Sequence, residues 1–262
     1  MTRQPQAIPP AVHALLQRLA ASGTVRDFYL AGGTGLALLL NHRRSVDLDF
    51  FSRVDRLDFA GRRALVARLR RLPGWRLLEA KDGTVHGRVG RVRVSFFWYP
   101  EPLMKPLVRR GPLRVASLED IGLMKLAAII GRGSRKDFVD LYAICQRRAL
   151  PRLLAMGRRK FRDVRDFPLQ AMKALTFFED AEREPVVVTP VPLSWERVMD
   201  FFSREVRVLA RRHLRAPNTI PPWPRCERQG AGSEARRRRR IPCDTPRRSN
   251  DGAGPLPPQP IG

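Results

Sequence analysis

The stretch Leu30–Phe51, LAGGTGLALLLNHRRSVDLDFF, constrains this chain more than any other, because it fixes two carboxylates behind a glycine turn. Its pattern reads as a strand end, a Gly32-Gly33 turn, a short apolar helix and a second strand carrying Asp47 and Asp49. Residues i and i+2 of a strand project from one face. Asp47 and Asp49 therefore point together, while Leu48 and Phe50 point the other way, into a core. Two carboxylates on one face repel, and burying both without a cation is costly. Their oxygens suit Mg²⁺, which takes one or two carboxylates plus substrate phosphates. Glycine at a helix N-terminus lets unpaired backbone N–H groups approach an anion closely, which gives Gly32 and Gly33 a phosphate-binding reading. Thr34 adds a hydroxyl beside them. Taken singly, a Gly-Gly pair is also an ordinary turn and a D-x-D an exposed strand. Together they read as a site for Mg²⁺ and a nucleoside triphosphate (NTP).

The rest of the chain indicates an α+β fold. Val12, Leu15, Leu16 and Leu19 recur at helical spacing, and Phe28–Leu30 reads as a strand leading into the glycines. A helix is expected over 58–72, with Asp58 as N-cap and Leu65, Leu69 and Leu72 inward. From Trp75 to Trp98 the period changes to that of strands joined by tight turns. In the last of these, Val92, Val94, Phe96 and Trp98 alternate with Arg91, Arg93, Ser95 and Phe97, and Pro100, Pro102 and Pro106 then end the sheet. Beyond them the pattern is helical. Ser117-Leu-Glu-Asp120 resembles a capping box opening a helix through Ile130. Further helices are expected over 136–147, 151–160, 168–183 and 194–214, with a β-like PVVVTPVP before the last. This gives a core domain over 11–110, a helical domain over 111–215 and, over 216–262, a Pro/Arg/Gly-rich tail whose composition predicts disorder.

Charge narrows the choice of partner. Fifty Lys+Arg against 25 Asp+Glu give a net +25, and the tail accounts for only +5 of it. The remaining +20 belongs to residues 1–215 and suits a polyanion, most simply RNA or DNA. Cys145, Cys226 and Cys243 form no C-x-x-C pair, which argues against a zinc site or a disulfide framework and favours a reducing cytoplasm. No apolar run approaches the roughly 20 residues of a membrane span. His13, His42, His86 and His213 show no ligand spacing.

The pattern G-G-x13-D-L-D-F resembles the signature of the DNA polymerase β-type nucleotidyltransferase superfamily. Joined to SLEDIGLMKLAAIIGRGSRKDFVDLYAI, it resembles the AbiEii/AbiGii toxin family over roughly residues 10–210. The resemblance implies a toxin of a toxin–antitoxin or phage-abortive system, some of whose relatives transfer nucleotides to tRNA 3′ ends. It implies Asp47 and Asp49 as metal-binding acids, Gly33 as the family glycine, and Lys125, Asp137 and Asp140 as the later catalytic motifs. Read independently, Lys125 is the only charged side chain between Asp120 and Arg132, where it either snorkels or meets a triphosphate. Asp137 and Asp140 share a helix face, as cap and dipole partners or as proton acceptors. Arg43, Arg44 and Ser45 either grip the triphosphate or form the turn before the acids.

One departure from the superfamily pattern stands out. A third carboxylate usually sits on a later strand, and the corresponding position here holds Ser95. The expected function is Mg²⁺-dependent transfer of a nucleoside monophosphate from an NTP to a nucleic-acid hydroxyl, with tRNA foremost and an antitoxin as restraining partner. The alternatives are a small-molecule or protein acceptor, or a catalytically silent binding module.

Overall fold

The computed structural model describes residues 7–215, so the tail expected over 216–262 lies outside the described residues. The elements in chain order are α1 (Pro10–Ala21), β1 (Tyr29–Leu30), α2 (Gly32–Leu40), β2 (Leu48–Ser52), α3 (Phe59–Leu69), β3 (Trp75–Lys81), β4 (Thr84–Val89), β5 (Val92–Trp98), β6 (Val108–Arg110) and β7 (Leu113–Val115). Six helices follow: α4 (Leu118–Gly131), α5 (Arg135–Cys145), α6 (Leu150–Lys160), α7 (Phe167–Ala174), α8 (Glu179–Glu182) and α9 (Trp195–Arg215). The fold is α+β, as the sequence indicates: a mixed sheet in the N-terminal half, then helices.

The seven strands lie in the order β3-β4-β5-β2-β1-β7-β6. β2 runs parallel to β5 and β1 parallel to β7, while the remaining neighbours are antiparallel. Two apolar cores sandwich the sheet. On one face Leu48, Phe50, Val94 and Phe96 pack with Leu15, Leu16 and Leu19 of α1 and with Leu65 and Leu69 of α3. On the other, Phe51, Phe97 and Tyr99 pack with Leu36 of α2 and with the helices from α4 onward. β2 is therefore buried along its whole length. Asp58 caps α3 as expected, its carboxylate accepting from Gly61 N at 2.6 Å.

Several local expectations change. The prolines at 100–106 do not end the sheet, because they sit in a connection that returns the chain to its opposite edge. There the β6–β7 hairpin adds itself, with Val115 in parallel register to Leu30. Strands of three residues are too short for alternation to reveal. Asp120 pins that connection by accepting from Met104 N at 2.8 Å and Lys105 N at 3.0 Å. Its carboxylate thus serves the loop, while Ser117 caps α4 by accepting from Asp120 N.

At the end of β5 the expected sides are exchanged: Phe97 is 3% exposed and Trp98 40%. The helices cover the face that alternation alone would assign to solvent. The expected helix over 168–183 is two pieces, α7 and α8, separated by a tight turn in which Thr176 Oγ1 donates to Lys173 O. The β-like PVVVTPVP forms no strand, since Pro185, Pro190 and Pro192 remove donors a ladder needs. It runs as a strap attached to the N-terminal half through Arg44 N, which donates to Val188 O at 2.9 Å. No helix among the described residues is long and apolar enough to cross a membrane.

Candidate active site

The glycine turn and the twin acids meet because β1 and β2 are antiparallel neighbours and α2 springs directly from β1. Ala31 N donates to Asp49 O at 3.0 Å, which fixes the start of α2 against the acid-bearing strand. Gly32 then adopts φ +62°, a left-handed conformation natural to glycine, and a Cβ there would lie 2.6 Å from Asp49 Oδ2. A Cβ on Gly33 would lie 2.4 Å from an Arg43 guanidinium nitrogen. Both positions must be bare for the acids and Arg43 to approach the helix N-terminus. We expect Gly32→Ala to cost roughly 2 kcal/mol in thermal unfolding, from left-handed strain plus displacement of the Asp49 carboxylate.

Asp47 and Asp49 differ in setting. Asp47 is about one-fifth exposed and meets Arg93 Nε at 3.3 Å. Asp49 is buried, and its carboxylate has no hydrogen bond or ion pair among the described residues. Burial, reinforced by the charge of Asp47, pushes its pKa up to about 6, against the pull of Lys125, Arg132 and Arg93. Ser95 stands beside Asp49 in the β2–β5 register, and His86 Nδ1 lies 3.1 Å from Ser95 Oγ.

Behind the acids lies a buried ionic network. Lys125 of α4 donates to Asp137 Oδ1 at 2.7 Å and lies 2.7 Å from Asp140 Oδ2. Arg43 grips both oxygens of Asp140, at 2.5 and 2.9 Å, and His42 Nε2 lies 2.6 Å from the same group. Asp137 also accepts from Ser134 Oγ at 2.7 Å and Arg132 Nε at 3.2 Å. Burial opposes ionisation of Asp140, but Arg43, Lys125 and His42 more than offset it and hold the carboxyl well below the usual range. Burial works against Asp137 in the same way, yet Lys125 and Arg132 hold it low as well. In return, and despite their own burial, the two carboxylates hold Lys125 above its ordinary value, and Asp140 does the same for Arg43.

Gly32, Gly33, Asp47, Asp49, Lys125 and Asp137 line one cavity of about 290 Å³, together with Arg44 and Ser45 at its side. Asp140 and Thr34 lie outside its lining. Thr34, almost fully buried, donates to the Asp47 carbonyl and has Ser45 Oγ 2.9 Å from its hydroxyl, so it ties α2 to the acid-bearing segment. Sequence reasoning missed two parts of the wall. One is Ser134, which repeats the S-x-x-D capping spacing seen at Ser117–Asp120 and was therefore legible. The other is the strap Glu184–Val188, for which the sequence carries no signal beyond its prolines. Arg135 holds the strap's start through Ala181 O, Glu182 O and the Glu184 carboxylate.

No cluster of three or more His, Cys, Asp or Glu side chains suited to a metal occurs among the described residues. The Asp47–Asp49 pair nonetheless fits a hard cation that phosphate oxygens help to coordinate: Asp49 is a buried carboxylate without a partner, raised in pKa by burial and by its neighbour's charge.

Residues 14–216 match the family described as nucleotidyl transferase AbiEii toxin, type IV toxin–antitoxin system. An uncharacterized protein of Aquifex aeolicus is 35% identical over 197 residues, which cover 73% of this chain and 92% of that protein. The nucleotidyltransferase toxin MenT4 of Mycobacterium tuberculosis H37Rv superposes with a TM-score of 0.50 at 15% identity, over 77% of this chain and 86% of its own. The family match spans most of the chain, and the chain belongs to the AbiEii nucleotidyltransferase toxins of type IV toxin–antitoxin systems.

Proposed function

We propose that this nucleotidyltransferase toxin moves a nucleoside monophosphate from an NTP to a hydroxyl of RNA, with tRNA the acceptor class, in a Mg²⁺-dependent reaction. The observation that carries this reading is the partnerless Asp49 carboxylate, set beside Asp47 at the bare N-terminus of α2. Asp47 and Asp49 would hold Mg²⁺, which neutralises phosphate charge and helps to align the triphosphate when bound. Gly32 and Gly33 line the same cavity at the N-terminus of α2, where unpaired N–H groups and the positive end of the helix dipole suit a phosphate. Lys125 has three donors and uses two on Asp137 and Asp140, which leaves one for a phosphate oxygen. Phosphoryl transfer of this type depends mainly on positioning and charge stabilisation. The acceptor hydroxyl oxygen bonds the α-phosphorus and gives up its proton to solvent, the α–β bridge breaks, and pyrophosphate leaves.

Asp137 and Asp140 serve as positioning groups rather than as proton acceptors. Both are saturated by cations and held low in pKa, so they fix Lys125 and Arg43 in place. The +20 charge of residues 1–215 supports RNA as acceptor, and an RNA-directed toxin restrained by an antitoxin would work in the cytoplasm.

Incubating the protein with total RNA, Mg²⁺ and each labelled NTP in turn tests the reading. Label should reach RNA with at least one NTP in wild type and not with Asp49→Asn. No label with any NTP overturns the RNA reading, and equal labelling by the variant overturns the site. Ser95, in place of a third carboxylate beside Asp49, favours one rival: a silent nucleotidyltransferase fold. Absence of Mg²⁺-dependent NTP binding in wild type would select that rival.

A further inference from the structure

The face of the sheet that carries the twin acids is organised in cross-strand rows. One row runs Glu79–His86–Ser95–Asp49 across β3, β4, β5 and β2. The row beside it runs Arg76–Arg88–Arg93 and ends on Asp47, which Arg93 contacts. A register shift between Leu77 and Glu79 brings Arg76 and Glu79 to this same face. All three arginines are exposed, and among the described residues neither the Arg76 nor the Arg88 side chain has a hydrogen-bond or ion-pair partner. Glu79, the acid nearest in the adjoining row, is paired with Lys81 at 2.8 Å.

Like charges directly opposite one another on neighbouring strands destabilise a sheet. Three abreast, without an acid between them, are a standing cost that a polyanion would relieve. With strands about 4.8 Å apart, the row extends about 14 Å from the acids on β2 to Arg76 on β3. β3 is the edge strand, so the row opens to solvent at its far end rather than meeting a wall.

We infer that this row is the track on which the acceptor strand's sugar–phosphate backbone enters the site, with phosphates on Arg76 and Arg88 and the reacting hydroxyl delivered past Arg93 to Asp47 and Asp49. The inference rests on the RNA-acceptor reading of the site. Contacts of this kind set register and orientation without reading sequence. The acceptor is thereby selected as a strand end that reaches the acids while its backbone lies on the arginines.

The test compares the full chain with two double variants, Arg76→Ala/Arg88→Ala and Arg158→Ala/Arg159→Ala. The second removes the same charge from exposed positions on α6. Affinity for total tRNA is measured across a salt series, alongside Mg²⁺-NTP affinity. The row variant should lower the slope of log affinity against log salt by about 1.5, since each phosphate left without its arginine takes away roughly 0.7–0.9. It should also raise the acceptor KM and leave NTP affinity unchanged. The α6 variant should move the slope by less than half as much, and Arg76→Lys/Arg88→Lys should restore most of the binding. Equal behaviour of the two alanine variants, or no change in the row variant, overturns the track while leaving RNA transfer standing. Wild type that fails to bind tRNA at any salt overturns the RNA-acceptor reading itself, and the track with it.

Discussion

Asp49→Asn is expected to lower nucleotidyl transfer by at least about a hundredfold while leaving the fold as stable as wild type or more so. The side chains are nearly isosteric, so the sheet and α2 should keep their places. What disappears is a buried charge that has no partner and stands beside the charge of Asp47. Removing one of two like charges from a dry site relieves repulsion and desolvation together. On the proposed reading this carboxylate would hold substrate-bound metal, and the loss of rate follows from that role. Outer-shell partners of a metal already account for about 10–100-fold in affinity or activity, and a direct ligand should exceed that. Thermal melting paired with the RNA-labelling assay separates the two effects. A variant that is inactive and also strongly destabilised would mean that Asp49 is structural.

Asp140→Asn should show the opposite pairing, with a large loss of stability at its centre. The carboxylate is fully buried and holds Arg43 through two bonds and Lys125 through a third contact. Neutralising it leaves Arg43 buried without its counter-charge. Breaking one side of such a pair costs about 3–5 kcal/mol, or roughly 6–20 °C in melting temperature for a domain of this size. Because the folded protein holds Asp140 well below the ordinary carboxylate range, its contribution is complete above the unfolded value of about 4 and fades as pH falls toward the folded one. The gap in melting temperature between wild type and variant should therefore be wide at pH 7 and narrow below about pH 4. A gap that does not change over that range would show that Asp140 acts through packing alone.

How much of this was legible in the sequence depends on the range over which each signal acts. The α+β order, the α1 and α3 cores and the Asp58 cap follow from local periodicity and capping chemistry, and they stand. The facing of Asp47 and Asp49 away from Leu48 and Phe50 follows from the period of a strand. Long-range effects were out of reach. Nothing local in β5 says that helices formed after residue 117 will cover its second face and bury Phe97. Nothing local in β6 or β7 says that a three-residue segment will pair with β1. In the site, the same spacing that places Asp137 and Asp140 on one face could not show that Lys125 and Arg43 already occupy both. That requires α4, α5 and the loop after α2 to be packed together, which is a property of the tertiary fold.

The strap also sets a condition in time. The glycine turn and both acids leave the ribosome early in synthesis, yet one wall of their cavity consists of residues 184–188, held to Arg44 by a single backbone bond. Chains emerge and fold from the N-terminus onward. Until Val188 is free to dock, the cavity at the acids and the α2 N-terminus lacks this wall. A nascent chain stalled before that codon, or a message cut short of it, therefore yields a product in which the cavity at the twin acids is open on the side that the strap would close.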